Sequence, residues 1–394
     1  MGELTAGMIQ NNDLVIRLFG HIDSNNASKA EEEIQELRAG HPDGNVILDA
    51  EQLQYISSAG LRVILRLKKA TPDLEIMNVS SEVYEVLDMT GFTEMMQVRK
   101  AYRTINIDNC EAIGQGANGK VYRIDPETII KVYNNPDSLP DIQRERELAR
   151  SAFVLGIPTA IPYDVVRVGN LYGSVFELLS AKSLSKIIAA EPERLDECAA
   201  MYVGLLKKIH STHVKPGTMP DMKAVALKWA GFMKDYLPQE DADKLVSLVE
   251  NVPVRDTMIH GDYHTKNVMV QDGEILLIDM DTLSFGHPIF EFASMYLGFA
   301  GFGIVDHEAT KKFIGLDWET TQKFWHKSLC LYFGTDDAEI IQSVEDKAKI
   351  IAYTRLTRRT IRRSLQDTSE GQKLVDACIA ELKRLLPVTE TLAF

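Results

Sequence analysis

HGDYHTKN, residues 260–267, packs two histidines, an aspartate and an asparagine into one short stretch. An apolar run leads from it to two further acids, Asp279 and Asp281. Three readings are open: a metal site, a set of capped turns, or a loop that orients an acceptor for phosphoryl transfer. Zinc suits the spacing poorly, because a catalytic zinc site wants three good N, O or S ligands and usually a rigid helical pair such as HExxH. Gly261 beside His260 argues against helix there, so His260 reads as a residue that braces the loop.

Working outward, VMVQDGEILLID has Asp272-Gly273 at its centre, a strong hairpin signal. Folded that way, the run returns Asp279 to the side of Asn267. Phosphoryl transfer needs few parts: a carboxylate to orient and deprotonate the acceptor, and oxygen ligands for a Mg²⁺ that bridges phosphates. Asp262, Asn267 and Asp279 supply that set.

Upstream, IGQGANGKV (113–121) is a GxGxxGxV pattern with Gly114, Gly116, Gly119 and Val121. Alone it is weak, since it also fits dinucleotide-binding turns. A dinucleotide turn opens a helix, whereas KVYRI continues here as a strand. A glycine hairpin lets backbone N–H groups approach ATP phosphates, while the plain alternative is a flexible hairpin. Lys131 is an isolated cation in the apolar strand TIIKVY. It is either the solvent-facing member of an alternation or a point charge for the α- and β-phosphates. A lysine of the second kind needs an acid on a nearby helix. QRERELARSAF offers Glu145 and Glu147 on different faces, and Glu145, which shares its face with Leu148 and Ala152, is preferred.

At 394 residues the chain exceeds one ordinary core, so two domains or a bilobal unit are expected. Its 45% apolar and 25% charged residues are those of a globular protein. No apolar run reaches the roughly 18 residues of a membrane span, and the start lacks the features of a signal peptide or a lipidation site. Cys110, Cys198, Cys330 and Cys378 are scattered without a CxxC pair, which fits a reducing, cytoplasmic location. The net charge of −14 argues against nucleic acid as a partner. One local exception is RLTRRTIRR (355–363), with five arginines. Such a run is ordinarily a solvated face, and is read so here; the alternative is a surface for an anionic substrate or partner.

The first hundred or so residues alternate strand and helix, the pattern of a small α/β domain. LVIRLFG, NVILDA and LEIMNV read as strands. The helices are SNNASKAEEEIQELRAG capped by Ser24 or Asn25, SSAGLRVILRLKKA with Leu61, Ile64, Leu65 and Lys68 in one stripe, and SSEVYEVLDMTGF. Near residues 101–112 the texture shifts to short strands, and beyond Ser183 it is mainly helical.

From about residue 108 onward the chain resembles the aminoglycoside phosphotransferase/choline kinase group, small-molecule relatives of the protein kinases. HGDYHTKNVMV is similar to that group's HGDxxxxN loop, and LLIDMDTLSFGHPIFEFA to its IDxD segment and following GDPxxDLA stretch. The resemblance implies Asp262 as catalytic base, Asn267 and Asp279 as metal ligands, Asp281 as a possible second acid, and Lys131 with partner Glu145 on the phosphates. FELLSAKSL (176–184) resembles the hinge between lobes, where backbone groups of Glu177 to Leu179 would meet adenine. LLKKIHSTH resembles the helix that packs beneath the loop. Two departures, His287 for the acid of GDP and Glu291 for the Asp of DLA, leave the finer substrate assignment open.

HIDSNNA, VILDAEQLQYISSAGLRVIL and EVLDMTGF, within residues 10–99, resemble the STAS domain of anti-sigma factor antagonists. That family phosphorylates a serine at a loop-to-helix junction. Ser58 matches the acceptor and Ser57 stands where the family has Asp. A phosphate there would meet free N–H donors at a helix start; alternatively, Ser57 or Ser58 is an N-cap.

The expected architecture is therefore mixed α/β and α+β: a STAS-like regulatory domain over 1–102, then a bilobal kinase-like domain over 103–394, with an N-lobe at about 103–178 and a mainly helical C-lobe at about 179–394. The expected activity is ATP- and Mg²⁺-dependent phosphorylation of a hydroxyl on an unidentified small molecule. The alternative is a signalling module that phosphorylates Ser58 or a protein partner bound through the STAS domain. Neither nucleic acid nor membrane is expected as a partner.

Overall fold

A computed structural model describes residues 4–10, 13–41, 45–116, 118–215 and 217–394. The Met-Gly start and Ala117 of the glycine-rich stretch lie outside them. The chain forms two compact units, Met1–Asn106 and Ile107–Phe394.

In the first unit, β1 (Thr5–Gln10) and β2 (Asp13–Ile22) are followed by α1 (Ala27–Ala39), β3 (Val46–Ile56) and α2 (Ser58–Ala70). Then come β4 (Glu75–Val79), α3 (Ser81–Met89), α4 (Phe92–Met95) and β5 (Gln97–Lys100). The sheet order is β1-β2-β3-β4-β5, with β2 to β5 parallel and β1 antiparallel at the edge. Parallel neighbours require crossover connections, which is what the strand–helix alternation supplies. Ile16, Leu48 and Ile76 sit side by side on β2, β3 and β4, all essentially sealed from solvent.

Four readings are corrected in this unit. The edge strands β1 and β5 were not anticipated. TAGMIQ and QVRK carry too little alternation to stand out, as befits strands with one open edge. Strand β3 extends past NVILDA through Ile56, burying only Leu53 and Ile56 of the added part. Helix α1 begins at Ala27 rather than after Ser24 or Asn25. Asn26 occupies the cap position, where its side chain accepts from the Asp23 N–H and donates to the His21 carbonyl, both at 2.8 Å. The buried stripe of α2 is Leu61, Ile64 and Leu67, with Leu65 and Lys68 part-exposed, because i to i+3 spacing carries the face from Ile64 to Leu67.

In the second unit, β6 (Glu111–Gln115), β7 (Gly119–Arg123), β8 (Thr128–Tyr133), β9 (Asp164–Val168) and β10 (Leu171–Glu177) form an antiparallel sheet, order β6-β7-β8-β10-β9. Helix α5 (Leu139–Val154) lies between β8 and β9 in the chain. The remainder is helical: α6 (Leu184–Ala190), α7 (Leu195–Ser211), α8 (Met222–Phe232), α9 (Gln239–Glu250), α10 (Ile289–Phe299), α11 (His307–Ile314), α12 (Trp318–Phe333), α13 (Ala338–Arg362) and α14 (Ser369–Leu385). Two small sheets interrupt it. One holds β11 (Lys182–Ser183), β13 (Val268–Gln271) and β14 (Glu274–Leu277); the other pairs β12 (Met258–Ile259) with β15 (Ser284–Phe285). Every residue of α10 is buried, so it forms the centre of this core. No helix among the described residues is long and apolar enough to cross a membrane.

Candidate active site

The hairpin β13–β14 forms as its sequence suggests. Asp272 and Gly273 both take positive φ, 51° and 84°, as a two-residue primed turn requires. Val268 pairs with Leu277, and the Ile278 N–H donates to the Asn267 carbonyl at 2.9 Å, which sets Asp279 next to Asn267 in space. Asp279 itself is held at φ 66°, a left-handed conformation that costs a non-glycine residue energy and is met at constrained functional positions.

The loop 260–267 is tied at many of its backbone groups. Glu291 accepts the N–H groups of His260 at 2.6 Å and Gly261 at 3.0 Å. Thr282 Oγ1 donates to the His260 carbonyl, and Ser294 Oγ and Arg355 Nη1 donate to the Gly261 carbonyl at 2.6 and 3.1 Å. His260 Nδ1 accepts the Asp262 N–H, and Asn267 Nδ2 donates to the Asp262 carbonyl. Tyr202 and Tyr263 each donate a hydroxyl to the other's carbonyl, at 2.8 and 2.7 Å, which locks α7 to the loop. A side chain at position 261 would come within 2.7 Å of the Thr282 carbonyl, and φ there is +81°, so glycine is required.

These contacts leave the Asp262 carboxylate part-exposed, with its Oδ2 3.6 Å from His264 Nε2. Burial acts to raise its pKa, but His264, by hydrogen bonding and charge, and the charges of His260 and Arg355 outweigh that and hold it at about 2. Asp281 moves the other way, to about 7, through burial and then the Asp279 charge. The Asn118 amide, on the glycine-rich hairpin, reaches Asp281 Oδ2 at 3.4 Å.

Lys131 faces the same space. Its ammonium is 3.0 Å from Glu145 and 3.1 Å from Asp279. Burial favours the neutral amine, yet the charges of Asp279 and Glu145 prevail and keep it protonated. Glu145 is buried, whereas Glu147 on the same helix is exposed. The Tyr133 hydroxyl donates to Glu145 at 2.5 Å, fixing the acid from behind. Val121 lies opposite Lys131 in the β7–β8 register, and Gly114 opposite Val121 across β6–β7. At Gly119 a side chain would collide with the Val132 carbonyl at 2.2 Å, whereas Gly116 faces open space.

At the end of β10, Glu177 is exposed and Leu179 part-exposed, while the Leu178 N–H is given to the Glu127 carbonyl at 2.7 Å. Asn267 spends its amide nitrogen on Asp262, which leaves its Oδ1 as the acceptor available to a cation. Among the described residues no group of three or more His, Cys, Asp or Glu side chains is gathered as a chelating cluster. A hard cation at Asn267 and Asp279 would thus complete its shell with phosphate oxygens and water, as Mg²⁺ does beside nucleotides.

Sequence reasoning missed Tyr202, Thr282, Ser294 and Arg355, all of which act on the loop from remote positions. Only Arg355 had a signal, as part of the arginine run, and its reading as a solvated face is corrected: its guanidinium is applied to the loop itself. Glu291 and His287, noted as departures, are buried beneath the loop region rather than lining the open space.

Two family models match the chain. Residues 109–323 match the model of the phosphotransferase enzyme family, and residues 8–106 that of the STAS domain. BtrV of Bordetella bronchiseptica, named as an anti-sigma factor antagonist, is 34% identical over 89 residues, 22% of this chain and 76% of BtrV. The ADP-bound crystal structure of aminoglycoside phosphotransferase APH(2'')-Ib overlays with a TM-score of 0.49 at 16% identity, over 80% of this chain and 99% of that one. A choline/ethanolamine kinase family protein from Mesorhizobium loti gives 0.46 at 14% identity, over 71% and 88% of the two chains. The chain belongs to the phosphotransferase enzyme family and carries a STAS domain ahead of its family-matching segment.

Proposed function

We propose that the chain is a cytoplasmic kinase that transfers the γ-phosphoryl group of ATP to a hydroxyl of a small molecule. On this reading residues 1–102 are a regulatory STAS domain and 103–394 the kinase domain, with lobes at about 103–178 and 179–394. The observation that carries it is Lys131, one ammonium shared between Glu145 at 3.0 Å and Asp279 at 3.1 Å. That pairing puts a phosphate-binding cation and a metal-binding acid side by side, as kinase-type transfer requires.

Gly114, Gly116, Gly119 and Val121 cover the nucleotide. Lys131 grips its phosphates while Glu145 holds the lysine. With the Leu178 N–H already engaged, the donor offered to adenine among Glu177 to Leu179 comes from Leu179. Mg²⁺, when bound, neutralises charge developing on the phosphates; Asn267 and Asp279 would hold it, with Asp281 alongside. Asp262 orients the acceptor hydroxyl. Its oxygen bonds to the γ-phosphorus, the bond from phosphorus to the β–γ bridging oxygen breaks, ADP departs, and the proton passes to Asp262. A carboxylate with a pKa of about 2 is a weak base, so Asp262 acts mainly by orientation and receives the proton late, as suits a loose transition state.

Asp262→Ala and Asp279→Ala test the assignment. Both should abolish acceptor-dependent ADP release while the fold survives; full turnover by either sinks it. A second reading has one observation in its favour: Ser58 is exposed at the first turn of α2. Intact mass after incubation with Mg-ATP separates the two, since one phosphate mapped to Ser58 supports a signalling role and protein partners. Turnover of a small alcohol with no protein phosphate supports the small-molecule enzyme.

A further inference from the structure

Helix α13 carries Arg355, Arg358, Arg359 and Arg362, with Arg363 as its C-cap, spaced so that several share one face. The chain has 57 acids against 43 bases, and its other cations pair with acids widely. Among the described residues none of these five arginines makes an ion pair with a carboxylate. Like charges three and four apart on a helix repel by a few tenths of a kcal/mol per pair, so the row is a standing cost.

Aromatic rings take the place of acids. The guanidinium of Arg355 lies 5.3 Å from the Trp229 ring, Arg358 5.9 Å from Phe232, and Arg359 5.4 Å from Phe302. Cation–π contact holds a guanidinium by its face and leaves the N–H edge for an oxyanion. Exposure grows along the row. Arg355 is spent on the Gly261 carbonyl and Ser294, Arg358 is half-buried, and Arg359 is exposed. A chain of side-chain contacts links the row to the reaction centre: Phe302 meets Phe313 edge-on at 4.9 Å, Phe313 meets His264 at 4.9 Å, and His264 Nε2 is 3.6 Å from Asp262.

We infer that the acceptor is a hydroxyl compound bearing an anionic group, a phosphate ester or a carboxylate, which Arg358 and Arg359 hold while its hydroxyl meets Asp262. This rests on the phosphotransferase reading and names the substrate class for it. A polycationic or quaternary amine acceptor would have to lie against guanidinium groups that form no ion pair with a carboxylate. Bidentate arginine recognition of a planar carboxylate or a phosphate is the chemistry the row is built for.

The test is calorimetric titration of the full chain, loaded with Mg-ADP, with four sugars of matched size: glucose 6-phosphate, glucuronate, glucose and glucosamine. One or both anionic sugars should bind at least about tenfold more tightly than glucose, a difference of about 1.4 kcal/mol, with glucosamine weakest. That preference should fall as salt is raised. The phosphate and carboxylate arms separate the two anion types. Arg358→Gln with Arg359→Gln should erase the preference, while Arg384→Gln, which removes one positive charge from an exposed pair with Glu381, should keep it. Equal or tighter binding of glucose or glucosamine overturns the inference, as does a preference that survives the double substitution. The Mg-ADP loading step is read separately. Failure to bind nucleotide sinks the phosphotransferase reading and this one together, whereas charge-blind sugar binding with nucleotide bound sinks this one alone.

Discussion

Glu291 accepts the backbone N–H of Gly261 at 3.0 Å, and so fixes the residue that precedes Asp262 without touching the reaction space. The same carboxylate takes the His260 N–H at 2.6 Å through Oε2, and His210 Nε2 lies 3.8 Å from that oxygen. A longer acid than the aspartate usual at this motif position thus spans from α10 to two consecutive amides of the loop.

Removing it should therefore act on stability first. Glu291→Ala strands two buried donors, and at about 1–3 kcal/mol each the unit should lose about 2–6 kcal/mol. Denaturant titration reads this directly. Asp262→Asn should leave the midpoint nearly in place while lowering turnover by about 100-fold or more. If Glu291→Ala proves as stable as the parent chain, the bracing role is wrong.

Lys131→Met should weaken ATP binding by about tenfold or more, at about 1.4 kcal/mol per factor of ten. It also leaves the buried Glu145 without its cation, so the apo protein should lose stability too. Tyr133→Phe removes only the rear hydrogen bond to Glu145 and should cost less on both counts. Equilibrium nucleotide binding and thermal melting of the two variants decide the order.

His287 gives stability a pH dependence of defined sign. Burial, followed by the charges of Arg255, His210 and Lys347, lowers its pKa from 6.5 to about 4. The unfolded chain takes up a proton near pH 6.5 while the folded chain stays neutral until about pH 4. Its contribution is present in full above pH 6.5 and is lost as pH falls through that window, up to about 3 kcal/mol. Urea midpoints at about pH 7.5 and pH 5 should diverge less in His287→Asn than in the parent. An unchanged difference would remove His287 from the account.

In the STAS unit, Ser57 and Ser58 should separate cleanly. Ser57 is the N-cap of α2, its Oγ accepting the Ala59 N–H at 3.2 Å. Ser57→Ala should cost about 1 kcal/mol, within a range of about 0.5–2, and Ser58→Ala should stay within about 0.5. The opposite ranking in melting experiments would mean that the cap has been misassigned.

How much of this was legible beforehand depended on whether a residue acts through its neighbours in sequence. The hairpin at Asp272-Gly273 and the preference for Glu145 over Glu147 could be read because turn chemistry and helix periodicity are local. The bracing of the loop could not. Tyr202, Thr282 and Ser294 reach it from elsewhere in the chain with nothing in their own surroundings to mark them, and Arg355 stands in an arginine run that reads as a solvated face. Edge strands β1 and β5 escaped for a related reason: their pairing comes from a neighbour, not from their own pattern. The α1 cap was misplaced because three candidate polar residues stood together, and the turn from Asp23 to Asn26 selected the last.

The hairpin of β13 and β14 is also a ruler. Asn267 stands at the root of one strand and Asp279 just past the root of the other, so the gap between them is measured in paired residues. Adding one residue to a single strand would turn every later side chain to the opposite face and point Asp279 away. Adding one to each strand preserves the count and lengthens only the tip. Natural variation in the length of this segment should accordingly come in even steps.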